Sequence, residues 1–103
     1  MRRSSWRACS RRRLRRTAFP FLPYLRALYK AGGGPLFDGA ALDPYSTTPE
    51  IALRRVRAMR RLMNRCGDRR KPIWITEIGW GTAGYPGSVT VSPEQQGLYL
   101  AST

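Results

Sequence analysis

A helical period of apolar residues first appears in residues 21–31. The apolar positions lie three, three and one residues apart, at Leu22, Leu25, Leu28 and Tyr29. This spacing places them on one face of a helix. The glycine that follows, Gly32, suits the left-handed C′ position at which helices commonly end. We therefore predict a helix of about three turns that packs on a sheet.

The same period is longer and clearer in residues 47–66. Thr48 suits the N-cap, Pro49 the first helical position, and Glu50 the positive end of the helix. One apolar stripe is formed by Ala52, Val56, Met59, Met63 and Cys66. Arginines cover the rest of the surface, which favours a solvated face. Nucleic-acid binding is the less favoured alternative, because no aromatic residues lie between these arginines for base stacking.

Two apolar stretches flank this helix and predict strands. Residues 72–80 contain Ile73, Trp74, Ile75 and Ile78 without clean alternation, which is typical of a parallel strand buried on both faces. Residues 39–42 are small and apolar and predict a shorter buried strand. Strand, helix and strand together form one βαβ unit, whose crossover we expect to be right-handed.

A glycine-rich loop and a third helix complete the pattern. Residues 79–91 contain four glycines and Pro86, which predicts an irregular loop. Ser92-Pro93-Glu94-Gln95 is a capping box that begins a helix. The helical pattern continues to Thr103 without a C-cap, so we expect the chain to be a fragment of a larger fold.

Length and composition narrow the possible classes of protein. With 103 residues, the chain is long enough for one small domain with a modest core. It has no histidine, so the commonest metal ligand and neutral-pH base is absent. Cys9 and Cys66 are too few and too far apart for a zinc site, and they define no disulfide framework.

The net charge of +13 is concentrated at the start of the chain. Residues 1–30 carry ten Arg or Lys and no acid. We divide the chain into an Arg-rich arm, residues 1–18, and a domain, residues 19–103. Three interpretations of the arm stay open: a nucleic-acid-binding arm, a targeting segment, or a mispredicted start. The last is slightly favoured, because the arm joins a domain that we expect to be cut off at the same place.

The string Thr76-Glu77-Ile78-Gly79-Trp80 resembles the seventh-strand motif of retaining glycoside hydrolases with (β/α)₈ barrels, as in families 5, 39 and 53. Residues 36–45 resemble their sixth strand, with Asp43 where the family usually has histidine. The resemblance spans about residues 25–103. It implies a partial barrel of α/β class, with about two parallel strands and three helices. An extracellular or cell-envelope location would fit the family.

The resemblance also implies roles for individual residues. Glu77 corresponds to the catalytic nucleophile; the alternative is a strand-end carboxylate paired with an arginine. Tyr45 is either a strand-end aromatic residue or a phenol that holds Glu77 in position, because adjacent parallel strands bring the two together. Trp80 and Asp43 are candidate sugar contacts. Tyr85 either contacts the sugar or simply covers the barrel mouth.

The expected partner is therefore a β-linked glycoside or polysaccharide, with no metal or other cofactor. Retaining hydrolysis also needs a second carboxyl group, which in these families is a Glu after an Asn on the fourth strand. The chain contains no Asn-Glu pair, so we expect it to be inactive alone. The alternative function is a small basic protein whose arm binds nucleic acid or anionic surfaces. No stretch is apolar and long enough to predict a transmembrane segment.

Overall fold

The computed structural model describes residue 9, residues 19–86 and residues 88–103. Within them lies a small α/β domain with three helices and two parallel strands. In chain order the elements are α1 (Phe21–Lys30), a short 3₁₀ turn (Gly34–Leu36), β1 (Ala40–Leu42), α2 (Pro49–Arg65), β2 (Ile73–Ile75) and α3 (Pro93–Ala101).

Local capping chemistry sets the ends of the helices. The Thr48 hydroxyl accepts a hydrogen bond from the backbone N–H of Ile51 at 3.4 Å and begins α2. Ser92 caps α3 in the same way, with its hydroxyl 3.1 Å from the N–H of Gln95. Gly32 follows α1 with a positive φ, a conformation that a side chain disfavours. These predicted helix boundaries are confirmed.

The end of α3 differs from the prediction. The helix does not run on to Thr103 but ends at Ala101, with Ser102 as its C-cap. The backbone N–H of Ser102 bonds the carbonyl of Leu98 at 3.1 Å, and its hydroxyl bonds the carbonyl of Tyr99 at 3.0 Å. Serine therefore satisfies carbonyls at the helix end without a glycine.

The two strands pair in parallel, with Ala40 opposite Ile73 and Leu42 opposite Ile75. The helix α2 connects them, so the predicted βαβ unit is confirmed. Because the strands run in the same direction, the segments that follow them emerge at one edge of the sheet. That edge carries the residues singled out as candidate site residues.

The prediction that the second strand is buried on both faces is wrong. Only three residues pair, and the side chain of Trp74 is 65% exposed. The cause is the one-sided packing of the sheet. The face of Leu42 and Ile73 packs against the core from α1 and α2, while the opposite face, formed by Ala41 and Trp74, has no covering layer among the described residues. Glu77 is accordingly exposed as well.

The core lies between α1, α2 and the inner face of the sheet. Its most deeply buried side chains include Tyr29, Leu62 and Met63. The phenol of Tyr29 donates a 2.6 Å hydrogen bond to Asp68, and Asp68 forms a 3.0 Å salt bridge with Lys71. This pair of contacts fixes the turn between α2 and β2 against the end of α1.

Burial, together with the hydrogen bond to Asp68, raises the pKa of Tyr29 above its ordinary value. An acid whose folded-state pKa is raised stabilises the fold fully below its unfolded pKa, here about 10, and this contribution is lost as the pH rises further. We predict that the free energy of unfolding falls between pH 9 and pH 11, at a slope of up to about 1.4 kcal/mol per pH unit from this group. Urea unfolding at both pH values measures the loss.

The matched control for that prediction is Tyr29→Phe, which keeps the ring and removes the ionisable group. The variant should be less stable at neutral pH by about 2 kcal/mol, because it loses a hydrogen bond to a carboxylate. Its stability should then fall less steeply than that of the wild type above pH 9. Equal slopes for the two proteins would contradict the assigned role of Tyr29.

A disulfide joins Cys9 to Cys66, with Cα atoms 5.0 Å apart, so the expectation that the cysteines define no disulfide framework is wrong. Their separation of 57 residues gives no pairing signal in the sequence, and only the fold brings them together. Cys66 caps the C-terminal end of α2, and Cys9 is buried in the core cluster. The other residues of the arm, to which the three interpretations apply, lie outside the described residues.

Candidate functional site

The candidate site lies at the edge of the sheet where β1 and β2 end. Asp43 follows β1 directly, and Tyr45 lies two residues further on. Thr76 follows β2 directly, with Glu77 next to it. The parallel register places Leu42 opposite Ile75, so these two short segments leave the sheet side by side. Two side-chain hydrogen bonds connect them.

The first of these bonds joins Tyr45 to Glu77. The phenol donates to the carboxylate Oε2 at 2.5 Å, which is the contact that adjacent parallel strands predict. The backbone of Tyr45 is held from both sides, since its N–H bonds the carbonyl of Asp43 at 2.8 Å and its carbonyl accepts a hydrogen bond from Arg55. Glu77 thus has a tyrosine partner, and no arginine salt bridge to it occurs among the described residues.

The second bond joins Thr76 to Asp43. The hydroxyl of Thr76 donates to Oδ1 of Asp43, and the backbone N–H of Thr76 bonds the carbonyl of Leu42 at 3.4 Å. Asp43 is therefore engaged with the neighbouring strand end while it remains exposed. No role was assigned to Thr76 from the sequence. The sequence does carry a signal for one, because Thr76 directly follows β2, Asp43 directly follows β1, and paired parallel strands place such residues side by side.

Trp80 does not offer an open ring face on which a sugar could stack. It is only 6% exposed, and its ring meets that of Tyr99 on α3 edge-on, with centroids 5.1 Å apart. Its backbone carbonyl accepts a 2.6 Å hydrogen bond from the side-chain amide of Gln96. Helix α3 therefore anchors the loop that follows β2, and Trp80 presents only a small part of its surface to a ligand.

Tyr85 lies apart from this cluster. It is 88% exposed and does not line the groove described next. Its carbonyl accepts hydrogen bonds from the backbone N–H and the hydroxyl of Ser88, at 2.9 and 2.7 Å. The structure brings Asp43, Tyr45 and Glu77 together and places Trp80 beside them, but it leaves Tyr85 in the outer part of the loop.

An open groove of about 500 Å³ lies between the start of α2 and the loop after β2. Tyr45 lines it from the segment after β1, and Trp80 lines it from the loop after β2. None of the described residues that line it is acidic. The lining residues are Tyr45, Ser46, Thr47, Ile51, Arg55, Gly79, Trp80, Gly81 and Val89.

The remaining acids near these elements have structural positions. Glu50 and Glu94 lie in the first turns of α2 and α3, where a carboxylate stabilises the positive helix end. Asp38 precedes β1 and so lies at the opposite end of the strand. Among the described residues, Asp43 is the one other acid within two positions of the carboxyl end of a strand.

The hydrogen bond to Glu77, and to a smaller extent the cost of burying charge and the nearby Asp43, raise the pKa of Tyr45. The phenol therefore stays protonated, and able to donate, above its ordinary pKa of about 10. We predict that Glu77→Gln brings the ionisation of Tyr45 to a lower pH. Ultraviolet absorbance titration of phenolate formation measures this change, with the Tyr45→Phe protein subtracted to remove the other four tyrosines. An unchanged midpoint would contradict the contribution of the Glu77 carboxylate to this raised pKa.

No family model, no curated protein and no solved structure matches the chain. Within residues 19–86 and 88–103, no helix is long and apolar enough to cross a membrane. The described part of the chain also contains no cluster of three or more side chains that would hold a metal ion.

Proposed function

We propose that this chain carries the nucleophile side of a retaining glycoside hydrolase site, with Glu77 as nucleophile and Tyr45 as its positioning residue. The observation that supports this most directly is the 2.5 Å hydrogen bond between them at the carboxyl ends of two parallel strands. Carboxyl ends of parallel strands are where (β/α)₈ enzymes place catalytic residues. The βαβ unit is, in this proposal, part of such a barrel.

The chemistry begins with attack by a Glu77 carboxylate oxygen on the anomeric carbon of the sugar. A bond forms between that carbon and Oε of Glu77, and the bond to the leaving oxygen breaks, so that the sugar is held as an ester. The phenol of Tyr45 orients the carboxylate before attack. Because that bond fixes one oxygen, the other is directed toward the substrate.

The second carboxyl group is the part that the described residues do not provide. Retaining enzymes place it about 5–5.5 Å from the nucleophile, where it protonates the leaving oxygen and later activates water. Asp43 is at the right edge, but its Oδ1 is bonded to Thr76, and it projects from the strand next to Glu77 rather than from across a barrel. We therefore expect very slow turnover of unactivated glycosides.

A substrate with an activated leaving group tests the nucleophile separately from the second carboxyl group. A dinitrophenyl β-glycoside has a leaving group that needs no protonation, so attack by Glu77 alone suffices for the first step. Added azide then replaces the water that the absent base would activate, and it releases a glycosyl azide. We expect that azide accelerates release of dinitrophenolate by the full-length chain, and that a 2-fluoro-glycoside labels Glu77 covalently, as peptide mass spectrometry would show.

The control is Glu94→Gln, which removes an exposed acid from the first turn of α3 that does not line the groove. This variant should retain both azide-dependent release and labelling. Labelling on a residue other than Glu77, or on none with any of a panel of β-glycosides, would overturn the proposal.

A further inference from the structure

The exposed side of α2 carries a row of four arginines. They lie three, four and four residues apart, a spacing that keeps them on one face of the helix. A helix rises about 1.5 Å per residue, so the row is about 16 Å long. No acid lies between its first and last members. We call these four residues the arginine row: Arg54, Arg57, Arg61 and Arg65.

The charges of the arginine row are not compensated by any acid within the described part of the chain. No side chain of the row takes part in a salt bridge or a hydrogen bond there. Glu50, four residues before Arg54, lies on the same face but forms no ion pair with it, and its carboxylate instead stabilises the positive end of the helix. Each guanidinium has five N–H donors, and those of the row remain available to an anion.

Further positive charge is held at the C-terminal end of the arginine row. Burial, and then the positive charge of Arg65, lower the pKa of Arg26 on α1, so these two guanidinium groups lie within electrostatic reach of each other. The disulfide between Cys9 and Cys66 attaches the Arg-rich arm at the same end of α2. Clustered charges of one sign raise the local potential and attract polyanions.

The apolar residues of α2 argue against a membrane surface as the partner. A helix that lies in a membrane interface buries its apolar face among the lipids. That face of α2 is already in the core, where Ala52, Leu62 and Met63 are buried. Leu53 is the one large apolar side chain of α2 that is exposed. A polyanion that stays in water fits this face better than a lipid surface does.

The residue types on α2 favour the phosphate backbone of a nucleic-acid duplex. All six basic residues of the helix are arginines, whose planar guanidinium groups bind phosphate oxygens through two parallel hydrogen bonds. The helix contains no aromatic residue, so the bases of a single strand would find no ring there on which to stack. A duplex presents regularly spaced phosphates and needs no such stacking.

We propose that the arginine row binds the phosphates along the backbone of a nucleic-acid duplex. This inference is independent of the proposed function, because none of the row lines the groove beside the strand ends. Binding of this kind releases counterions from the duplex, so the affinity falls steeply as the salt concentration rises. Four phosphate contacts contribute about −3.6 to the slope of log K against log salt concentration.

The test measures binding of fluorescent probes to the oxidised full-length chain by anisotropy, over a series of salt concentrations. The probes are a short DNA duplex, an RNA duplex of the same length, one strand of the DNA duplex, and heparin. We expect at least one duplex to bind more tightly than the single strand and than heparin at equal concentration of anionic charge. The tighter of the two duplexes identifies the nucleic acid.

Two variants with the same net charge test whether the arginine row is the binding surface. The row variant should bind the duplex at least about tenfold more weakly than the wild type, with a salt slope shallower by about 3 to 4. Its substitutions are Arg54→Gln, Arg57→Gln, Arg61→Gln and Arg65→Gln. The matched control removes four arginines of the arm and should lose clearly less affinity and slope. Its substitutions are Arg2→Gln, Arg3→Gln, Arg15→Gln and Arg16→Gln.

Equal losses of affinity and slope in the two variants would overturn the inference, because binding would then follow net charge alone. Single-stranded DNA that binds as tightly as either duplex would overturn it as well. Heparin that binds as tightly as the duplexes would identify a sulfated polysaccharide as the partner instead. Glutamine has nearly the same helix propensity as arginine, so α2 should persist in the row variant, which circular dichroism checks. The comparison of probes on the wild type needs no variant, so a folding defect would not obscure it.

Discussion

Replacing Glu77 by Gln should lower azide-dependent turnover of a dinitrophenyl β-glycoside at least about 10³-fold, the scale on which loss of a catalytic nucleophile acts. The amide is close in size to the carboxylate, and its oxygen still accepts a hydrogen bond from Tyr45. The strand ends should therefore keep their arrangement while the nucleophile is lost. Progress of dinitrophenolate release at saturating azide measures the effect.

Tyr45→Phe separates positioning from nucleophilic attack. It removes the phenol that contacts Glu77 but leaves the carboxylate, so turnover should fall by less than in Glu77→Gln, by roughly 10–100-fold if the hydrogen bond contributes about 1.5–3 kcal/mol. The effect should appear in kcat rather than in KM, because Tyr45 acts through Glu77. A Glu77→Gln protein as active as the wild type would show that the observed turnover does not use this carboxylate.

Local patterns were sufficient to predict the elements of this fold. Thr48 and Ser92 are N-cap residues that need only their own next turn to act, and Gly32 needs only its own backbone freedom. The pairing of β1 and β2 followed from the helix between them, since a parallel pair needs a crossover. The hydrogen bond between Tyr45 and Glu77 followed in turn from that pairing.

The properties that sequence patterns missed depend on contacts between distant parts of the chain. An apolar strand such as Ile73–Ile75 predicts burial, but burial requires a layer on each face, and the described residues provide only one. Arg55 looked like one of several solvated arginines. Its place beside the carbonyl of Tyr45 depends on how α2 lies against the strand ends, which residue type and helical period do not specify.

The pairing of Cys9 with Cys66 leads to the second large prediction. In the chain-entropy description, closing a loop of this length, with a sequence separation of 57, stabilises the fold by about 4 kcal/mol. The free energy of unfolding of a domain of this size is about 5–15 kcal/mol in total, and a two-stranded sheet contributes little to it. Reduction, or the Cys9→Ser and Cys66→Ser double variant, should therefore lower the midpoint of thermal unfolding by about 20 °C.

The loss of stability should originate mainly in the unfolded state, because the disulfide restricts the unfolded chain far more than the folded one. An unfolded chain without the bond is more expanded and exposes more surface, so the urea m-value should rise while the midpoint falls. Reductant should not affect the double variant, which controls for effects of the reagent itself. Two free thiols in the purified oxidised protein, or a midpoint that reductant leaves in place, would contradict the pairing. A lower midpoint with an unchanged m-value would instead locate the loss in the packing of Cys9 against the core, beside α1 and α2.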